Sequence, residues 1–248
     1  MKEIGVANTV LIDADILAFQ VATAAEQPTQ FGEDIWVLWA DGKEAIRSVD
    51  DGIQAILTMT GASDYVLCLT GKNNFRYRVS DTYKSNRAGK RKPMILSYLR
   101  EYMLDKLDAV QYDNLEGDDV IGILATGEYK DNHIIYSADK DLKTVAGKHF
   151  EDGFEITIEP HEALRYFYSQ VLTGDTTDGY KGCPKVGPVK AAKILDADFS
   201  WKAVVNAYEK EGLTEDDAII QARQAYILHD KDFGAGKVIL WNPPLEGE

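Results

Sequence analysis

Glu116, Asp118 and Asp119 put three carboxylates within four residues, in the run Leu115-Glu116-Gly117-Asp118-Asp119-Val120 that opens an apolar stretch. At helical spacing Glu116 and Asp119 stand one turn apart, with Asp118 beside them. Two acids would be ordinary residues for a helix start, drawn there by free N–H groups and the macrodipole. Three are more than capping needs. Two unit charges about 4 Å apart repel by roughly 4 kcal/mol at an effective dielectric near 20, so the cluster calls for a cation or a proton. Other acidic stations repeat the theme: Asp13 and Asp15 close the first apolar run, Asp139 and Asp141 follow the strand-like His133-Ile134-Ile135-Tyr136, and Asp175 and Asp178 lie between Gly174 and Gly179. Acids placed just after strands gather at one edge of a parallel sheet, where α/β proteins build their sites. Oxygen donors with no His or Cys among them select Mg²⁺ or Mn²⁺ over zinc or copper.

Two basic stretches accompany the acids. Lys84, Arg87, Lys90, Arg91 and Lys92 fall within nine residues, inside a polar segment (71–93) that also carries Phe75, Tyr77 and Tyr83. A charge run is ordinarily a solvated loop. A structureless loop longer than about 15 residues in a compact domain, however, tends to be functional or disordered. Aromatics among Lys and Arg suit bases that stack while cations hold phosphates. The second stretch, Gly182-Cys183-Pro184-Lys185-Val186-Gly187-Pro188, precedes a helix start and is surrounded by Lys185, Lys190 and Lys193. A glycine turn opening a helix offers free N–H groups to an anion, and beside Asp175 and Asp178 it reads as a clamp on a duplex backbone.

The chain has 248 residues, 45% hydrophobic and 27% charged, as in an ordinary globular protein. No apolar run is long enough to span a membrane, and the first residues lack a signal-peptide pattern. Cys68 and Cys183 suggest neither a disulfide framework nor a metal clip. An intracellular, cytoplasmic protein is expected. A net charge of −14 argues at first against nucleic acid, yet many of the acids belong to the metal stations and the basic residues are concentrated, so the chain is polarised rather than uniformly repellent.

The elements that must position these residues alternate. Val10 to Ile12 reads as a buried strand and Ile16 to Ala25 as a helix; Ile35 to Ala40 suits a second strand, followed by a helix from about Ala45 to Gly61 and a strand at Tyr65 to Leu69. Helical periodicity returns from Met94 to Leu107, and strands at Ala109 to Tyr112 and His133 to Tyr136 flank the acidic helix, with a short helix near Leu142 to Val145. Repeated β–α order implies a mainly parallel sheet with helices on both faces. Beyond Glu159 the chain reads as helical (Glu162 to Leu172, Trp201 to Tyr208, Glu215 to Leu228), with Thr214 and Asp217 as a capping box and Val238 to Trp241 as a terminal strand or strap.

Taken in order, Leu11-Ile12-Asp13, Phe75-Arg76, Tyr83-Lys84-Ser85-Asn86-Arg87, Glu116-Gly117-Asp118-Asp119, Asp139-Lys140-Asp141 and Gly174-Asp175-Thr176-Thr177-Asp178 resemble the 5′–3′ exonucleases and flap endonucleases of the compact bacteriophage type, from Leu11 to about Leu195. The resemblance implies a PIN-like nuclease core at 1–172, with a basic arch at about 71–93, and a helical DNA-clamp region at 173–248 carrying a helix–turn–helix hairpin. It implies metal-site roles for Asp13, Glu116, Asp118, Asp119, Asp139, Asp141, Asp175 and Asp178, which would hold two or more Mg²⁺ or Mn²⁺ ions. It also implies catalytic contact of Lys84 and Arg87 with the scissile phosphate. DNA-binding roles fall to Arg76, Tyr83, Lys84, Arg87, Lys185, Gly187, Lys190 and Lys193, with a monovalent cation at the glycine hairpin. The expected substrate is duplex DNA with 5′ ends or flaps, with RNA–DNA hybrid beside it, and the expected state is a monomer. One departure stands out: where the family has an acid at the end of the strand before the arch, this chain has Leu69-Thr70-Gly71, so either the site is one ligand short or the matching slips there. Two competing readings remain open. One is a phosphatase of the haloacid-dehalogenase type built on Asp13 and Asp15; the other is a catalytically inactive DNA-binding protein.

Overall fold

The computed structural model of the chain describes residues 8–244; the ends of the two expected units, 1–7 and 245–248, lie outside them. The apolar run Val10-Leu11-Ile12 forms the centre of β1 (Thr9–Asp13), whose five residues are all buried. It is followed by α1 (Ala14–Ala24), the hairpin β2 (Gln27–Gln30) and β3 (Trp36–Trp39), α2 (Gly42–Thr60) and β4 (Asp64–Thr70). Asp41 caps α2 by accepting from the N–H groups of Lys43 and Glu44, and Gly61 ends it in the left-handed region (φ 65°). Next come α3 (Arg76–Val79), α4 (Leu96–Lys106), β5 (Val110–Tyr112), α5 (Gly117–Thr126), β6 (His133–Tyr136), β7 (Gly147–Glu151) and β8 (Phe154–Ile158).

Among the described residues, six strands form one sheet in the order β5-β4-β1-β6-β7-β8. All pairs are parallel except β7 with β8. Alternation along β1 sends Val10 and Ile12 to a core with α1, α2 and α4 on one face, including Val49, Ile53, Leu99 and Met103. It sends Leu11 to the other face, with Cys68, Ile135 and the apolar side of α5, including Val120, Ile121 and Leu124. Each such side chain fully buried contributes roughly 1.5–3 kcal/mol. The expected mainly parallel sheet, covered on both faces, is what forms.

The remainder of the chain is α6 (Pro160–Thr173), α7 (Pro188–Ala197), α8 (Trp201–Lys210), α9 (Glu215–Ala225) and the small ribbon β9 (Phe233–Gly234) with β10 (Lys237–Val238). Phe167, Tyr168, Val171 and Leu172 of α6 share a core with Ala191, Leu195, Trp201, Val204, Tyr208 and Ala222. Trp241 of the tail closes that core, edge-on to Phe167 and Trp201. Thr214 and Asp217 form the expected capping box. After α9 the chain returns to the first unit, where Ile227 and Leu228 enter the core around α5. Gly122 permits that approach: a Cβ there would lie 2.4 Å from the Leu228 carbonyl oxygen.

Two local expectations are corrected, and one unassigned stretch takes shape. The strand over Ile35 to Ala40 exists as β3, but it pairs only with β2 and stays out of the main sheet. Its Trp36, Val37, Leu38 and Trp39 are all exposed, so its hydrophobicity belongs to a surface hairpin rather than to the core. The stretch 147–158, whose mixed polar sequence carries no strand signal of its own, forms the strand pair β7–β8 at the sheet edge, with Lys148 opposite Thr157 and its ammonium reaching Glu155 on the diagonal. The segment 71–93 is not structureless: it holds α3 and a 3-10 turn at Ser85–Arg87. No helix among the described residues is long and apolar enough to cross a membrane.

Candidate active site

The carboxylates meet at the C-terminal edge of the sheet, where β1, β4 and β6 end together. Asp13 is the last residue of β1 and the N-cap of α1, accepting from Ile16 N (3.1 Å) and from Ser137 Oγ (2.8 Å). Burial, and then neighbouring Asp139, raise its carboxyl above the ordinary carboxylate range. Asp139 follows β6, caps the 3-10 turn Lys140–Thr144 and accepts from Asp141 N (2.8 Å). Asp141 in turn accepts from Gln170 Nε2 (2.7 Å) and is pushed up to about 7, by burial first and then by Asp139 and Asp175. Asp118, in the first turn of α5, takes no hydrogen bond or ion pair among the described residues. Burial, with Asp13 and Asp139 close by, raises its carboxyl well above the ordinary range. These are the marks of negative charge gathered without enough positive charge to balance it.

On the other side of the cluster the basic segment supplies that balance. Lys84 stands in the left-handed region (φ 50°), its N–H donating to Asp178 O (2.7 Å). Its ammonium lies 2.5 Å from Glu116 Oε1 and 3.5 Å from Asp178 Oδ2. Burial of Glu116 works against ionisation, but Lys84 and then Arg76 outweigh it and hold the carboxyl below its ordinary value. Burial raises Asp178 despite Lys84; Arg87 (2.7 Å) and Tyr83 Oη (3.1 Å) also reach it. Asp175 is buried, yet Lys140 (3.0 Å) and the N–H groups of Thr177 and Asp178 lower it. Asn86 Nδ2 donates to the carbonyls of Thr176 and Thr177. The basic segment is thus pinned along the loop that carries Asp175 and Asp178.

Seven of the eight expected metal-site acids share this edge; Asp119 does not face it. Its carboxylate is fully buried and forked by Arg76, Nη1 to Oδ2 at 2.6 Å and Nη2 to Oδ1 at 2.8 Å. It also accepts from Glu116 N and Leu228 N. Helical spacing put Asp119 on the same side as Glu116; the N-cap geometry of Glu116 instead turns Asp119 back to close a capping box. Arg76, expected at a DNA surface, is 2% exposed, and Tyr83 is buried with its hydroxyl on Glu116 (2.7 Å). Neither presents itself to a duplex. In the clamp hairpin Gly187 is the N-cap of α7 and Pro188 its first residue. Lys185 and Lys190 are exposed but share Glu211, at 2.7 and 3.7 Å; Lys193 is also exposed.

The strand-end position that lacks an acid is occupied by Thr70, whose hydroxyl accepts from Gly117 N (2.9 Å) and whose N–H donates to Asp15 Oδ2 (2.7 Å). Asp15 is ion-paired with Arg100, which also donates to Thr70 O. Sequence reasoning missed Arg100, because only the fold brings α4 against the end of β4. The same pairing removes Asp15 from the acid–base role that a phosphatase reading gives it.

The donor set suits hard divalent cations. Every candidate ligand is a carboxylate, and next to them Gln170 Oε1 and Tyr180 Oη are buried without a partner, the latter beside Asp141 and Asp175. Among the described residues no three His, Cys, Asp or Glu side chains converge as a preassembled metal cage. The ammonium groups of Lys84 and Lys140 stand among the carboxylates instead, where positive charge is needed.

Residues 8–163 match the family described as 5′–3′ exonuclease, N-terminal resolvase-like domain. The chain is 28% identical to the exonuclease of Escherichia phage T7, over 94% of this chain and 93% of that protein. It is also 28% identical to the exodeoxyribonuclease of Enterobacteria phage T3, over 94% and 92%. Among solved structures, the T5 D15 protein co-crystallized with metal ions superposes with a TM-score of 0.64 at 16% identity, over 87% of this chain and 88% of that one. The catalytic core of Rad2 in complex with DNA substrate gives 0.52 at 14%, over 83% and 65%.

Proposed function

The chain belongs to the 5′–3′ exonuclease family, and on that premise we propose that its acidic edge is a divalent-cation site hydrolysing phosphodiester bonds at the 5′ ends of duplex DNA, flaps included. The observation that carries the reading is the meeting of Asp13, Glu116, Asp118, Asp139, Asp141, Asp175 and Asp178 beneath Lys84 and Arg87. Mg²⁺, with Mn²⁺ as substitute, is the cation that an all-carboxylate set takes. When bound, such cations make water more acidic and stabilise the charge that builds on the phosphate and on the leaving 3′-oxygen.

The chain's own residues bind, orient and neutralise. Lys84 gives a compact charge that can transfer from Glu116 and Asp178 to a phosphate oxygen, whereas Arg87 can fork two oxygens at once. The arch residues 84–87 are tied to the Asp175–Asp178 loop, so the phosphate-facing cations and the carboxylates move as one piece. The exposed lysines of the 182–193 hairpin and the free N–H groups at the start of α7 hold the duplex backbone without reading sequence. In this reading 1–172 is the nuclease core and 173–248 the clamp region. In the same reading the protein acts as a monomer in the cytoplasm, with RNA–DNA hybrid as a second substrate, and the glycine hairpin would hold a monovalent cation.

The test is cleavage of 5′-labelled duplex, flap and RNA–DNA hybrid with Mg²⁺, with Mn²⁺ and with EDTA. Products growing from the 5′ end with either metal, and none in EDTA, are expected. Cleavage that persists in EDTA would overturn the reading, as would hydrolysis of p-nitrophenyl phosphate without any cleavage of DNA.

A further inference from the structure

A cation among acids, with its side chain reaching from the arch, is what a phosphate-binding arginine looks like in sequence. Arg76 is instead sealed inside the protein, and all five of its N–H groups have partners. Nε donates to Gln224 O (3.0 Å), Nη1 to Asp119 Oδ2 (2.6 Å) and Glu116 Oε2 (3.4 Å), and Nη2 to Asp119 Oδ1 (2.8 Å) and Tyr226 O (2.6 Å). The guanidinium also lies 4.6 Å from the centre of the Phe75 ring. Asp119 is as fully used, since it also accepts from the backbone N–H groups of Glu116 (3.1 Å) and Leu228 (3.2 Å). One buried ion pair therefore ties together three pieces far apart in sequence: the root of the arch, the start of the acidic helix, and the chain that leaves α9.

We infer that Arg76 and Asp119 are positioning residues for the hydrolysis, holding the Glu116 carboxylate at the cation site while touching neither cation nor substrate. The inference rests on the nuclease reading above. Glu116 is fixed at both ends by the pair: Asp119 holds its backbone N–H, and Arg76 reaches its Oε2 while Lys84 holds Oε1. A lysine at 76 would supply the charge but could not fork both Asp119 oxygens and still reach Gln224 and Tyr226. The pair also gives the C-terminal segment a direct hold on the site, because the two carbonyls and the Leu228 N–H that complete it come from residues 224–228.

The test removes the pair without leaving a lone buried charge. Arg76→Met combined with Asp119→Leu replaces it with apolar side chains, an exchange that buried ion pairs commonly tolerate. Three readouts are taken: the thermal melt, calorimetric affinity for Ca²⁺ and Mg²⁺ without DNA, and kcat and KM on 5′-labelled duplex. The double variant is expected to fold and to bind the cation about tenfold or more weakly, as loss of a ligand's support does. The kcat is expected to fall at least about tenfold with KM within about threefold, since the clamp lysines are untouched. Glu116→Gln should cost much less in that background than in the wild type, because its carboxylate is already misplaced. A folded double variant with wild-type cation affinity and kcat overturns the inference. Should the double variant not fold, Arg76→Lys decides: a folded protein with lowered kcat at unchanged KM supports positioning, and wild-type kcat overturns it. An inactive wild type would overturn the nuclease reading itself, whereas an active wild type with an indifferent variant overturns only the role of the pair.

Discussion

Replacing Asp141 by Asn separates the cost of assembling the acidic edge from its use. Asp141 stands beside Asp139 and Asp175, and burial with their charge pushes its carboxyl from 3.8 to about 7. A raised acid binds its proton more tightly in the folded state than in the unfolded one. The metal-free protein should therefore lose stability as pH rises from about 4 to about 7, with the full loss present above 7. At about 1.4 kcal/mol per pH unit the ceiling is roughly 4 kcal/mol; solvent screening at a partly exposed carboxyl brings this to about 2 kcal/mol. Asn keeps the shape and still accepts from Gln170 Nε2, so Asp141→Asn should melt about 4–8 °C above the wild type in EDTA at pH 8. The gap should shrink as the pH falls and close near pH 4, where Asp141 takes up its proton in the unfolded chain as well. Turnover on 5′-labelled duplex in Mg²⁺ should fall about a hundredfold or more if the carboxylate serves the cation. Equal melts at pH 8 would refute the repulsion argument, and a lower melt for the variant would make Asp141 a structural partner of Gln170.

The other predictions follow from single contacts. Lys84→Ala should lower kcat far more than it raises KM in steady-state cleavage, because its ammonium acts at the reacting phosphate rather than along the duplex; the reverse pattern would place it in binding alone. Lys185→Ala with Lys190→Ala should flatten the dependence of log K on log salt by up to about 1.8, measured by titration of labelled duplex. Because both lysines share Glu211, a smaller change is consistent and no change is not. Gly122→Ala, which sets a Cβ against the Leu228 carbonyl oxygen, should lower stability by about 1–3 kcal/mol in denaturant unfolding.

The sequence by itself determined the strands that are apolar on both faces, the helices with a clean apolar stripe, and the acids that follow strand ends. Val10 to Ile12, Tyr65 to Leu69 and His133 to Tyr136 are all in the central sheet, since a parallel strand buried on both faces has little freedom to be anything else. Asp13, Asp139 and Asp141 reach the site for the same reason, because a strand end fixes where the next residues go. The tertiary structure alone decided between residues of the same type. Asp118 and Asp119 are adjacent carboxylates at the start of one helix, yet one faces the cluster without a partner and the other is consumed by Arg76. Arg76 and Arg87 lie in one basic segment, yet one is sealed inside and the other reaches Asp178 from the surface. Likewise Trp36 to Trp39 has the composition of a core strand and lies exposed in a surface hairpin. Local sequence fixes a residue's chemistry and its phase along an element, but not what stands opposite. Here Asp119 and Arg76 find each other across forty-three positions, and residues 224–228 supply the carbonyls that make burial of the guanidinium tolerable.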